Sequence, residues 1–218
     1  MAIYTDYVAA AVLYNLQILP ESLMCGIVIL SIVLANQTLL ALAAGAAGTQ
    51  LLTGAVGSVI MRMTDSAVRT SSLDMCVQGH LGKTWDRLLS GTDNAERLWS
   101  PKAPSVYMAT VGFFAGWGAA LQQLYKEEIR AGIINQNTLT TTAIITALII
   151  LLTLLFRTKS GCETWIGAVG GLLFGLLLGY MGAIALGYAT GRRATNIWGI
   201  PLLRDRINNG SAVYICPS

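Results

Sequence analysis

Residues able to carry out chemistry are few in this chain of 218 residues, and they do not cluster. The single histidine, His80, and the four cysteines, Cys25, Cys76, Cys162 and Cys216, stand apart, with no CxxC pair. A zinc site needs several such ligands at short, characteristic spacings, so the sequence predicts no metal and no cofactor. Without a recognisable catalytic set, we expect a protein that is not an enzyme.

One short segment, Pro104-Ser105-Val106-Tyr107, resembles the membrane phosphatases of the type 2 phosphatidic-acid phosphatase class. That resemblance implies a histidine nucleophile, a second histidine that acts as an acid, and cationic groups that clamp the phosphate. Tyr107 stands at the matching position, and the chain has no second histidine. An active phosphatase is therefore not expected, whereas a catalytically inactive relative stays open.

The composition indicates that the surrounding elements are membrane helices. Hydrophobic residues make up 54% of the chain and charged residues only 11%, against about 25% charged residues in soluble domains. Charge is absent from Ser22–Met61, Ala103–Tyr125, Ala131–Phe156 and Thr164–Gly191. Each stretch is long enough for the roughly 20 apolar residues that cross a bilayer core. None offers a charged residue in mid-span for a proton relay or an ion path.

We predict an all-α, polytopic bundle of about five transmembrane helices. The spans are Glu21–Ala35, Thr38–Met61, Ser105–Leu124, Leu139–Phe156 and Glu163–Tyr188. The first two depend on a tight polar turn at Asn36-Gln37. The alternative is one long, tilted helix, which reduces the number of spans to four. Leu139–Phe156 is almost purely Ile, Leu, Ala and Thr, so we expect it to face lipid.

Polar segments flank the predicted helices. Residues 1–20 are expected to lie at the interface, with a short amphipathic helix over Tyr7–Leu19 that Pro20 ends. Transmembrane residues 21–61 and 105–191 are separated by an extramembrane loop, residues 62–104, and followed by an extramembrane tail, residues 192–218. Within the tail, Asn209-Gly210 between two apolar runs predicts a short β-hairpin.

Small residues recur every four positions along the last span. The series is Gly167, Gly171, Gly175, Gly179, Ala183, Gly187 and Gly191, and Gly112 and Gly116 form a shorter version on the third span. Helices associate closely in lipid where small side chains let their backbones approach. We expect these positions to pack the helices of one chain together; the alternative is a homo-oligomer that forms through the same strip.

The polar flanks are the predicted partner surfaces, and their proposed contact residues are Trp85, Trp99, Arg192, Arg193, Trp198 and Tyr214. A net charge of +3 without a basic cluster gives no reason to expect nucleic acid. With five spans, eight basic residues fall on the side of the N-terminus and six on the other. That difference is too small for the positive-inside rule to assign an orientation.

The order of these features resembles the conserved multi-span virion membrane proteins of nucleocytoplasmic large DNA viruses, the giant-virus and phycodnavirus-like group. The matching pieces are Leu19-Pro20-Glu21-Ser22, Pro104-Ser105-Val106-Tyr107, Tyr125-Lys126-Glu127-Glu128, Cys162 before a glycine-rich span, Gly199-Ile200-Pro201-Leu202-Leu203 and Val213-Tyr214-Ile215-Cys216. The resemblance implies a structural protein of the virion internal membrane that contacts capsid proteins.

Two other functions stay open. A small accessory subunit of a membrane complex would use the small-residue strip to dock against larger subunits. In a channel or transporter, the strip would line or pack a pore. The lack of charge within the spans and of an internal repeat counts against the transporter, because transporter folds are commonly built from repeats.

Overall fold

The computed structural model describes residues 2–64, 104–130, 136–191 and 195–197. These residues form six helices and no strand, which confirms the all-helical class for this part of the chain. The helices are α1 (Ala2–Val33), α2 (Gln37–Thr64), α3 (Val106–Leu124), α4 (Lys126–Arg130), α5 (Gln136–Lys159) and α6 (Trp165–Thr190). The predicted β-hairpin, and residues 65–103 of the predicted loop, lie outside the described residues.

Three helices are long and apolar enough to cross a membrane: α2 over Gln37–Gly57, α5 and α6. In α1 the apolar stretch is shorter and covers Ile18–Val33. Helix α3 has 19 residues, about 28 Å at 1.5 Å per residue, and ends with Gln122-Gln123-Leu124; it is not among these three helices. The three apolar helices give the described chain the character of a membrane protein.

The predicted end of the first helix at Pro20 is wrong, because α1 runs without a break from Ala2 to Val33. Proline removes one backbone hydrogen bond and crowds the preceding turn, but a helix packed against neighbours tolerates that loss. Pro20 is buried, and Leu19 beside it packs against the cluster that contains Tyr107 and Met108. This packing explains why the helix continues through the proline.

The chain turns between α1 and α2, so the alternative of a single long helix is not formed. Ala35 takes a positive φ of 47°, which reverses the chain direction. Asn36 then caps α2, since its Oδ1 accepts hydrogen bonds from the backbone N–H groups of Thr38 at 2.9 Å and Leu39 at 3.4 Å. Asparagine is among the residues that best satisfy the free N–H groups of a first helical turn.

Helix α3 lies at the centre of the bundle. Its buried residues include Phe113, Trp117 and Leu121, which form a core cluster with Leu42 and Ala46 of α2. Met24 and Ile27 of α1 pack against the same cluster. On its other side α3 contacts α6 along almost its whole length, whereas α5 stays at the edge of the bundle.

Candidate functional site

The most intimate contact in the described chain joins the backbones of α3 and α6. A Cβ atom placed on Gly171, Gly175 or Gly179 of α6 would overlap the backbone of Ser105, Ala109 or Phe113, respectively. The glycines and their partners both advance by four residues per step, so the two helices run parallel. Only glycine permits this approach, because its Cα carries no side chain.

The contact is reciprocal, since α3 also contributes glycines. A Cβ on Gly112 would overlap the backbone of Leu172, and one on Gly116 would overlap the backbone of Leu176. Carbonyl oxygens of one helix thus face the Cα atoms of the other, the arrangement in which weak Cα–H···O contacts form. The predicted short glycine series on the third span therefore meets the longer series on the last span.

The two ends of the strip are held differently. At the first end, the Ser105 N–H donates to the Gly167 carbonyl at 2.9 Å, and the Thr164 hydroxyl oxygen accepts from the Gly167 N–H at 3.2 Å. At the other end, Gly187 faces the side chain of Leu124 rather than backbone, and a Cβ placed on Gly187 would lie 3.2 Å from the nearest Leu124 atom. The tolerance for a side chain therefore increases along α6.

Six residues of the predicted strip are buried, namely Gly167, Gly171, Gly175, Gly179, Ala183 and Gly187. The seventh, Gly191, is exposed and ends α6 with a φ of 85°. Because α3 occupies the strip, a contact between two copies through this surface would require α3 to move away. On α2, Gly45 meets the ring of Phe113, whereas Gly48 faces open space.

A buried ion pair lies beside the first end of this contact. Arg157, in the last turn of α5, donates through Nη2 to Glu163 Oε1 at 2.5 Å and through Nε to the same oxygen at 3.1 Å. The two side chains are 3% and 4% exposed. The Arg157 guanidinium also lies over the ring of Tyr107, 4.6 Å from its centroid, a favourable cation–π geometry.

This cluster joins α3, α5 and the turn before α6, and it was not predicted from the sequence. Glu163 enters the predictions above only as the first residue of the last span, and Arg157 does not enter them. A usable signal was present, since the two opposite charges bracket the short Gly161 turn between two apolar runs. Among the described residues, Arg157 Nη1 and Glu163 Oε2 have no hydrogen-bond partner. The ion pair therefore leaves part of the hydrogen-bonding capacity of both buried side chains unused.

Polar contacts also tie the opposite end of the bundle together. The Tyr125 hydroxyl lies 3.2 Å from the Thr195 hydroxyl, and both residues are buried. The Tyr180 hydroxyl of α6 donates to Gln123 Oε1 of α3. Each end of the bundle therefore has a polar contact between sequence-distant segments. The backbone contact at the glycines lies between the two ends.

The predicted partner residues Trp85, Trp99, Arg192, Arg193, Trp198 and Tyr214 lie outside the described residues, as do His80 and Cys76. Within the described ranges, no group of three or more His, Cys, Asp or Glu side chains could hold a metal ion. No family model, curated protein or solved structure matches the chain.

Proposed function

We propose that this chain is a structural integral membrane protein that crosses the bilayer five times. Three of the crossings are α2, α5 and α6, which have the length and composition for it. The other two are α3 and the apolar part of α1, Ile18–Val33. Neither is among the three helices with the length and hydropathy of a membrane span, so their assignment depends on how they pack.

The position of α3 supports its assignment as a crossing. It begins beside Gly171 and ends beside Gly187, so it runs parallel to α6 over most of the length of that helix. Any helix that accompanies α6 to this extent crosses the same layer. Because neighbouring helices cover α3, it does not need the hydrophobic surface that lipid demands of α5.

Helix α5 carries the membrane assignment most directly. Large apolar side chains are exposed along one broad face of this helix, among them Ile144 at 56%, Leu148 at 52% and Leu152 at 52%. Only Thr153 and Arg157 of this helix are buried. Such a surface suits a hydrocarbon environment, in which a helix that satisfies its own backbone hydrogen bonds is stable.

The backbone contact between α3 and α6 favours a structural role. Buried side chains of α3 also pack against α2 and α6 in the same cluster. We further propose that the protein lies in the internal membrane of a virion. Residues 62–104 and 192–218, which five crossings place on opposite faces of the bilayer, would then hold capsid proteins on one or both faces. The short sequence segments that resemble virion membrane proteins of large DNA viruses support that assignment.

Cross-linking and mass spectrometry of purified particles test this proposal. We expect the full chain to resist alkaline carbonate extraction and to yield cross-links from Lys83 or Lys102 to capsid proteins. Cross-links to subunits of an energy-transducing complex would contradict the virion assignment and favour the accessory-subunit alternative. Ion or solute flux through proteoliposomes of the chain would instead favour a channel or transporter.

A further inference from the structure

The turn between α5 and α6 contains an oxidised cysteine. Cys162 is 1% exposed and disulfide-bonded, whereas Cys25 on α1 is a free thiol. The turn runs from Ser160 to Thr164 and also presents Glu163 to Arg157. Disulfides form and persist where the surroundings are oxidising, which in most cells excludes the cytosol.

The contacts of this turn define one end of the bundle. The Ser105 N–H, at the start of α3, donates to the Gly167 carbonyl near the start of α6. Arg157, at the end of α5, lies over Tyr107 in the first turn of α3. The starts of α3 and α6 and the end of α5 therefore lie together, and we call this the Cys162 end.

The other end of the bundle contains α4. Helices α3 and α6 run parallel away from the Cys162 end, and their far ends meet where Tyr125 contacts Thr195. Helix α4, Lys126–Arg130, follows directly, with Lys126 and Arg130 exposed. We call this the α4 end; α5 leads from it back to the Cys162 end.

We infer that the Cys162 end faces the oxidising, non-cytosolic side of the membrane and that the α4 end faces the cytosol. The inference rests on the proposed crossing of the bilayer by α5, which separates the two ends. Basic residues alone are divided too evenly between the two sides to assign this orientation. The disulfide assigns the orientation, because a bond between two cysteine sulfurs reflects the redox state of the compartment in which it formed.

Two exposed lysines provide a matched test. Lys159 lies at the Cys162 end and Lys126 at the α4 end, and both side chains are exposed. The full chain, carrying either Lys159→Cys or Lys126→Cys, is expressed in cells, and sealed microsomes with their cytosolic side outward are treated with a membrane-impermeant maleimide before or after permeabilisation. We expect Lys126→Cys to gain one label over the parent chain in sealed microsomes, and Lys159→Cys to gain it only after permeabilisation.

The outcomes separate this inference from the proposed function. Reversed labelling would overturn the orientation and leave the crossing of α5 intact. Labelling of both variants from the same side would show that α5 does not cross, and both proposals would fail.

Thiol counts on the unmodified chain give a second test that needs no substitution. Reduction should expose two further thiols to alkylation, and alkylation of Cys162 without reduction would overturn the inference.

Discussion

Helices α5 and α6 are neighbours of similar length and similar apolar character, yet they are used in opposite ways. Helix α6 has glycine or alanine at every fourth position and lies with its backbone against α3. Helix α5 consists mainly of Ile, Leu and Thr and exposes most of its surface. In lipid, where apolar side chains gain little by leaving the solvent, close approach of backbones decides which helix is central.

The substitution with the largest expected effect lies at the tightest point of this contact. Gly175→Leu places a side chain into the backbone of Ala109, which cannot move aside without separating the helices. We expect a loss of more than about 3 kcal/mol in the free energy of unfolding, measured by titration with SDS in mixed micelles. Leu176→Ala is the control, because the Leu176 side chain is 40% exposed. Equal losses in both variants would contradict a backbone contact.

The buried ion pair should give the next largest effect. Arg157→Met leaves the Glu163 carboxylate buried without its partner and should cost about 3 kcal/mol. The combined replacement Arg157→Met with Glu163→Leu should cost clearly less, because no unpaired charge remains. Both free energies are measured by the same SDS titration. A double variant as unstable as the single one would show that the charges are not coupled.

Two substitutions to alanine compare the tight and the loose end of the strip. Gly175→Ala should cost about 1–3 kcal/mol, since even one methyl group overlaps Ala109. Gly187→Ala should cost less than about 1 kcal/mol, because its neighbour is the flexible Leu124 side chain. Thermal unfolding in detergent gives the ranking. A larger loss for Gly187→Ala would place the tight contact at the wrong end of α6.

The smallest effect is expected on α5. Leu148→Ala removes an exposed side chain that packs against lipid rather than protein, so the change should stay within about 0.5 kcal/mol. The SDS titration measures this in parallel with Gly175→Ala. A loss above about 2 kcal/mol would indicate that α5 is covered by another protein surface.

Much of the helical layout could be predicted from the sequence. The absence of charge outlined the apolar helices, and Asn36 marked the turn before α2. The continuation of α1 through Pro20 could not be predicted, because it depends on packing of Leu19 against residues about ninety positions away. Local proline chemistry favours a break there, and the tertiary contact outweighs it.

The candidate site was predicted only in its composition. A spacing of four residues identified the small face of α6 but not its partner, since several helices carry small residues. Gly112 and Gly116 of α3 were predicted as a shorter series, but their contact with the backbone of Leu172 and Leu176 becomes visible only in three dimensions. The cluster of Arg157, Glu163 and Tyr107 depends on the path of the turn after α5.

A distance measurement shows directly whether α3 and α6 meet backbone to backbone in a bilayer. Solid-state NMR of the full chain in lipid bilayers, with carbonyl label in Phe and Cα label in Gly, detects contacts between these carbons. We expect an assigned cross-peak between the Phe113 carbonyl and the Gly179 Cα that is lost in Phe113→Leu. Detection of the sequential Phe174–Gly175 signal without the Phe113–Gly179 cross-peak would show that the two backbones are not in contact.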